Sequence, residues 1–338
     1  MPFRNIFGQE HAIDLIKQAI LRDRMPHSWL FTGQANIGKF KTAVALTQKL
    51  NCKKFVEDAC GECDYCSQIA EQTFLDFHVI TPEGNFITID KIRKSLNWLQ
   101  LHPDRAKKRV MVLDGAEHMG HEASNAFLKT LEEPTPHTLL ILIAESTQHL
   151  PETIVSRCQQ IRFRSLSEKN TERILRMNTD LTSENIHFLN AFSMGSVNEN
   201  LIVRLEIMKN IQQTAICWLN DFSAMNLEEM LRKCETWGKS KNEEWSLFLN
   251  FLETWFRDLT WILHGLPEEK VINRTIYSED SRNLELRNSA KYFNAQQINE
   301  IFDRIVKSRK LIELNANKSL SLESLCLYIS RSASCKIK

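Results

Sequence analysis

Two stretches of this chain carry patterns with a chemical reading. Gly33-Gln34-Ala35-Asn36-Ile37-Gly38-Lys39-Phe40 fits the pattern G-x-x-x-x-G-K. In that pattern the backbone N–H groups of a glycine-rich turn and one lysine cradle phosphates where a strand hands over to a helix. The residue after the lysine is ordinarily Ser or Thr, whose hydroxyl holds Mg²⁺; here it is Phe40, which cannot coordinate a metal. A bound nucleotide would be poorly charge-compensated, and hydrolysis depends on that compensation. Further along, Arg109-Val110-Met111-Val112-Leu113-Asp114-Gly115-Ala116-Glu117 is an apolar run ending in an aspartate, where a Walker B carboxylate belongs. The glutamate that orients an attacking water usually follows at once; Gly115 stands there, and Glu117, two positions on, is expected to be turned away. Taken alone, a glycine-rich turn is as readily structural, and the bland reading of Asp114 is a polar strand end. The lysine, the spacing and the preceding β-rich segment favour the phosphate loop, with Gly33, Gly38, Lys39 and Asp114 as its candidate residues.

The second stretch is Cys52-x7-Cys60-x2-Cys63-x2-Cys66. Four soft ligands in so short a segment suit a closed tetrahedral Zn²⁺ site, structural rather than catalytic because no coordination position stays open. Gly61 is placed for the tight turn between Cys60 and Cys63. An iron–sulfur cluster is the competing reading, separable by colour or metal analysis. Of the nine cysteines, the remaining ones, Cys158, Cys217, Cys234, Cys326 and Cys335, are scattered. In a reducing compartment the cluster reads as metal ligands and the others as ordinary thiols.

These residues need elements to position them. At 338 residues the chain exceeds what one hydrophobic core usually serves. The first part alternates helical patterns with short β-rich runs at 28–32, 76–80, 110–113, 139–144 and 160–163, which predicts a parallel sheet covered on both faces. After about residue 165 the β signal fades and helical periodicity takes over, with a break at Gly195-Ser196. The stretch 245–263 is so rich in Trp, Phe and Leu that its helix must be buried on more than one face. Charge is nearly balanced, 43 Lys+Arg against 42 Asp+Glu, so no global field draws the chain to nucleic acid or a membrane. Lys107, Lys108 and Arg109 form a local basic run, read as a solvated strand start rather than a DNA contact. The longest strongly apolar run, 139–144, is far too short to span a bilayer, and the first residues have no signal-peptide core. A cytoplasmic location is expected.

Several fragments occur in a telling order: Phe7-Gly8-Gln9-Glu10, then 25–33, the four-cysteine insert, Ala123-Ser124-Asn125-Ala126-Phe127-Leu128-Lys129-Thr130-Leu131-Glu132-Glu133-Pro134, and Ser156-Arg157-Cys158. Together they resemble the clamp-loader ATPases of bacterial DNA polymerase III, the gamma/tau and delta-prime group. The likeness continues in 255–259 and 314–323, nearly to the end of the chain. It implies a RecA-like AAA+ α/β domain over 1–165 with the zinc insert at 52–66, a small helical lid over 166–205, and an all-α collar over 206–338. The implied partners are gamma/tau and delta clamp-loader subunits, with the sliding clamp and primer–template DNA reached through the complex. The resemblance also implies that Arg157 is an arginine finger acting on the ATP of a neighbouring subunit, a task for which a planar guanidinium is suited. From residue chemistry alone Arg157 is a solvated arginine.

The departures imply which kind of member this is. Beside Phe40 and Gly115, Glu145 stands where an active relative carries a γ-phosphate-sensing threonine, and Asn198 where a second sensor arginine is expected. Losses at four positions of one site imply the delta-prime type, stator-like, with ATP binding doubtful and hydrolysis absent. The rivals are an active gamma/tau-type motor and a zinc-dependent nucleic-acid-binding protein. In the latter, Lys53, Lys54, Phe55 and Tyr65 would face the nucleic acid, but Glu57, Asp58, Glu62 and Asp64 offset the charge.

Overall fold

The computed structural model describes residues 2–54, 57–84, 86–179, 181–193, 195–197, 204–222, 224–240, 244–265 and 284–334. The chain divides into two compact units, one of residues 1–174 with 195–197 and the other of 175–194 with 198–338.

The first unit is built on five parallel strands in the order β2-β3-β4-β1-β5. They are β1 (Ser28–Thr32), β2 (Phe77–Ile80), β3 (Arg109–Asp114), β4 (Thr138–Ala144) and β5 (Gln159–Arg162). Each lies within a residue of its sequence expectation. Successive side chains on a strand point to opposite faces, and the two faces gather two cores. Trp29, Phe31, Val110, Val112, Leu139, Ile141 and Ile143 pack under the helices α1 (Glu10–Leu21) and α2 (Lys39–Asn51). Leu30, Met111, Leu113, Leu140, Leu142 and Ala144 pack under α4 (Ile89–Gln100) and α5 (His121–Glu132). That double burial explains why β4 reads as one apolar run rather than as an alternation. The helix α3 (Asp64–Ala70) closes the cysteine segment and carries Cys66, α6 (Glu152–Val155) precedes β5, and α7 (Glu168–Asn178) comes after it.

The basic run at the start of β3 departs from expectation. Lys107 is exposed, but Arg109 is 4% exposed and lies against Asp76, which is fully buried. Its Nε and Nη2 donate to Asp76 Oδ1 at 3.1 and 2.8 Å, and the guanidinium also serves the carbonyls of Trp98 and His102. Asp76 further accepts the N–H groups of Asp104, Arg105 and Ala106. The reason is topological: Asp76 immediately precedes β2, the strand beside β3, so a carboxylate stands inside the sheet where Arg109 begins. Burial would raise the Asp76 pKa, but these N–H donors and the guanidinium hold it below the ordinary carboxylate value.

The second unit is helical throughout its described residues: α8 (Ser183–Ser193), α9 (Leu205–Asn220), α10 (Ala224–Lys239), α11 (Glu244–Leu263), α12 (Leu284–Ala290), α13 (Ala295–Glu313) and α14 (Lys318–Ser334). The apolar stretch expected to be buried on more than one face is α11. It buries Leu247, Phe248 and Leu249 in succession and again Thr254, Trp255 and Phe256, a spread of positions that circles the helix. It packs against α8, α9, α10, α12 and α13. Among the described residues no helix is long and apolar enough to cross a membrane.

Candidate nucleotide and metal sites

The loop 33–38 leaves the carboxyl end of β1 and opens α2, the place where a parallel sheet presents a ligand to a helix N-terminus. Gly33 is required by its surroundings: at φ +141°, a Cβ would stand 2.7 Å from the Phe163 carbonyl oxygen and 2.9 Å from Ile37 Cδ1. Gly38 is left-handed as well, at φ +104°. Four contacts fix the loop. Gly33 N–H donates to the Glu145 carbonyl at 3.2 Å, Val197 N–H to the Asn36 carbonyl at 3.1 Å, Ser165 Oγ to Gln34 Oε1 at 3.0 Å, and Gln9 Nε2 to the Ile37 carbonyl at 2.9 Å. Gln9, 3% exposed, also bonds the Arg164 backbone through both amide atoms. Its role leaves no signal in the sequence, because a polar residue between Gly8 and Glu10 has no periodicity that marks it as buried.

Lys39 is 6% exposed, and its ammonium is folded back onto the loop, donating to the carbonyls of Gly33 and of Gln34, the latter at 2.6 Å. Burial lowers its pKa, and the nearby carboxylates of Glu145, Asp114 and Glu117 oppose that shift. Asp114 lies at the end of β3, its pKa raised by burial and by the charge of Glu117 against the lowering effect of Lys39. The sequence-predicted Gly33, Gly38, Lys39 and Asp114 are therefore brought together.

Glu117 corrects the sequence reading. It is not turned away, because Gly115 at φ +82° reverses the chain into the 3-10 turn Ala116–His118 and returns Glu117 to the strand ends. There its Oε1 accepts the Glu145 N–H at 3.0 Å. Phe40 packs against the core beneath the sheet. Asn198 lies outside the described residues.

Arg157 stands elsewhere. Its carbonyl accepts the hydroxyl of Ser28, the first residue of β1, at 2.8 Å, while the phosphate loop follows the last residue of that strand. Five residues of β-strand separate the two ends, about 16 Å at roughly 3.3 Å per residue. The exposed guanidinium pairs with Glu132 at 2.7 Å and donates to the Thr153 carbonyl at 2.9 Å.

Cys52, Cys60, Cys63 and Cys66 converge, with their four Sγ atoms within 4.8 Å of one another. Tetrahedral Zn²⁺ with bonds of about 2.3 Å places its sulfurs roughly 3.8 Å apart, and the Cys60 and Cys66 sulfurs are 3.9 Å apart. Backbone N–H groups point at the sulfurs as they do toward thiolates: Cys63 N to Cys60 Sγ at 3.3 Å, Glu62 N to the same atom at 3.5 Å, and Cys60 N to Cys52 Sγ at 3.5 Å. The N–H of Glu62 leads the effects that lower the Cys60 pKa to about 6, while burial pushes Cys66 up. Gly61 makes the expected turn at φ +79°. The donor set fits a tetrathiolate metal site. Lys53 pairs with Asp64 and Lys54 with Glu62, so the basic residues of the segment are neutralised locally.

Residues 8–167 match the family described as DNA polymerase III, delta subunit. The DNA polymerase III subunit gamma of Buchnera aphidicola subsp. Acyrthosiphon pisum is 32% identical over 176 residues, covering 52% of this chain and 48% of that protein. The subunit delta′ of Bacillus subtilis is 31% identical over 164 residues, covering 48% of this chain and 50% of that protein. The chain spans about half the length of these curated relatives. Among solved structures, a DNA polymerase III gamma subunit-related protein of Thermotoga maritima covers 95% of this chain and 99% of its own at 15% identity, with a TM-score of 0.43.

Proposed function

We propose that this chain is a clamp-loader subunit of the delta-prime type, a reading supported by the match of residues 8–167 to the family described as DNA polymerase III, delta subunit, and by the similarity to gamma and delta′ subunits. In this reading it supplies an arginine finger to a neighbour's ATP and does not hydrolyse ATP itself. The observation that carries it is the separation of Arg157 from the chain's own phosphate loop by the length of β1. A finger on the opposite end of the sheet is of no use to Lys39; it can act only on a nucleotide held by another chain. There its fork of N–H donors stabilises charge on the transferring phosphoryl group.

The chain's own site supports silence. Phe40 is committed to core packing, so no hydroxyl follows Lys39 to help hold Mg²⁺. Lys39 is engaged by its own loop carbonyls. The active-motor alternative draws on one observation, the approach of Glu117 to Lys39 and Asp114. ATP turnover by the purified chain separates the two: none is expected, and steady turnover abolished by Lys39→Ala favours the motor.

The rest of the proposal follows the family. The division into a RecA-like domain over 1–165, a lid over 166–205 and a collar over 206–338 belongs to it. So do gamma/tau and delta subunits as partners, a sliding clamp and primed DNA reached through the assembly, and a cytoplasmic location. One structural Zn²⁺ on Cys52, Cys60, Cys63 and Cys66 would cross-link its segment and take no part in chemistry.

A further inference from the structure

The clamp-loading role leaves the four-cysteine segment without a task, and its neighbours point to one. Asp58, between Cys52 and Cys60, accepts the backbone N–H of Phe3 at 3.2 Å and of Arg4 at 3.1 Å, one on each carboxylate oxygen. Arg4 answers with its guanidinium, donating to the carbonyls of Ala59 and Cys60, both at 3.2 Å. A Cβ on Gly61 would stand 3.4 Å from Pro2 Cδ, so residue 2 lies against the turn of the cysteine segment.

From there the path runs on to the phosphate loop. Phe3 and Ile6 are buried in the core beside α2. Ile6 Cγ2 and Gln9 Cγ are the atoms that a Cβ on Gly38 would meet, at 3.8 and 4.0 Å. Gln9 then holds the Ile37 carbonyl at one end and the Arg164 backbone at the other.

Around the sulfurs themselves the described packing is small. Among the described residues the segment's own buried cluster consists of Cys52, Ala59 and Cys66, with Cys60 and Cys63 packed against them. Apart from one alanine, that described cluster consists of its ligands; from outside it, Tyr65 packs against the sheet core and Gln48 Nε2 donates to the Cys66 carbonyl at 2.6 Å. Among the described residues such a cluster depends for its shape on metal ligation more than on apolar packing.

We infer that the four-cysteine segment, closed around its metal ion, is a clasp that fastens residues 2–9 and through Gln9 fixes the phosphate loop 33–38, with Arg4, Asp58 and Gln9 as positioning residues. This inference goes beyond the clamp-loading role and stands whether or not Arg157 is a finger.

Amide hydrogen exchange on the full chain tests it, with one equivalent of Zn²⁺ and again after removal of metal by EDTA. Metal removal is expected to speed exchange about tenfold or more in peptides covering 2–9 and 33–41, the consequence of losing charge-assisted hydrogen bonds and what they restrain. The strand peptides 110–114 and 139–143 should stay slow. A zinc-loaded double variant, Arg4→Ala with Asp58→Ala, should reproduce both increases with all four cysteines intact, and zinc-loaded Gln9→Ala should speed 33–41 while leaving the Phe3 and Arg4 amides protected. If metal removal unfolds the strands too, these zinc-loaded variants decide. Wild-type exchange across 33–41 in the double variant, or in Gln9→Ala, overturns the inference.

Discussion

Returning a carboxylate to the position after Asp114 looks like the simplest way to re-arm the site, and the structure sets the cost of doing so. Gly115 has φ +82°, and a Cβ there would lie 3.0 Å from His118 Cδ2, 3.0 Å from Pro82 Cγ and 3.4 Å from Pro82 Cδ. Left-handed backbone costs an L side chain about 1–2 kcal/mol. Overpacking commonly adds about 1–3 kcal/mol, and the exposed His118 can swing aside more easily than the Pro82 ring can. Gly115→Glu is therefore expected to lose about 2–5 kcal/mol, a large part of the roughly 5–15 kcal/mol typical of folded domains. Urea unfolding of wild type, Gly115→Ala and Gly115→Glu measures this, and Gly115→Ala should already show most of the loss because the strain begins at Cβ. The same reasoning predicts no ATP turnover from Phe40→Thr combined with Gly115→Glu, since the added glutamate moves the turn that now carries Glu117. Gly115→Glu within about 0.5 kcal/mol of wild type, or turnover by the double variant that Lys39→Ala abolishes, would show that the turn at Gly115 tolerates a side chain.

Other consequences are as direct. Asp76→Ala leaves the Arg109 guanidinium buried and uncompensated, which should cost about 3–5 kcal/mol in urea unfolding. Because the Asp76 pKa is lower in the folded chain, its contribution is full above the ordinary carboxylate value and is lost as pH falls through the folded value. Wild type should thus lose stability more steeply than Asp76→Asn below about pH 4, and parallel slopes for the two proteins would contradict this. Metal analysis should find one Zn²⁺ per chain; a stoichiometry near zero, or iron with visible absorbance, ends the zinc reading. With Cys60 lowered to about 6, that ligand is mostly thiolate at neutral pH and protonates below it, so competition with a chromophoric chelator should show Zn²⁺ affinity falling steeply from pH 6.5 to 5. Affinity that is flat over that range would contradict the assignment.

Much of the fold was legible because its signals are local. The strands could be found from short apolar β-rich runs, and the phosphate loop and cysteine segment from spacing, since both are contiguous pieces of chain. What escaped were contacts between residues far apart in sequence. Arg109 looked solvated because Asp76 stands just before a neighbouring strand, and only the β2–β3 pairing brings them together. Glu117 looked misdirected because its orientation depends on the left-handed Gly115 and the turn that follows. Gln9 and Asp58 act through backbone carbonyls and N–H groups, partners that leave no mark on side-chain patterning. The position of Arg157 at the far end of β1 from Lys39 likewise required the hydrogen bond from Ser28.

Whether this chain donates a finger without using a site of its own is decided in reconstituted clamp-loader complexes that differ only in this chain. After both variants are shown to incorporate equally, Arg157→Ala should lower DNA- and clamp-stimulated ATP hydrolysis and clamp loading. The loss at the receiving site alone should be about a thousandfold or more, and smaller in total turnover where other subunits keep their own fingers. Lys39→Ala should load clamps at close to the wild-type rate. Loading that survives Arg157→Ala unchanged but stops with Lys39→Ala would contradict the account.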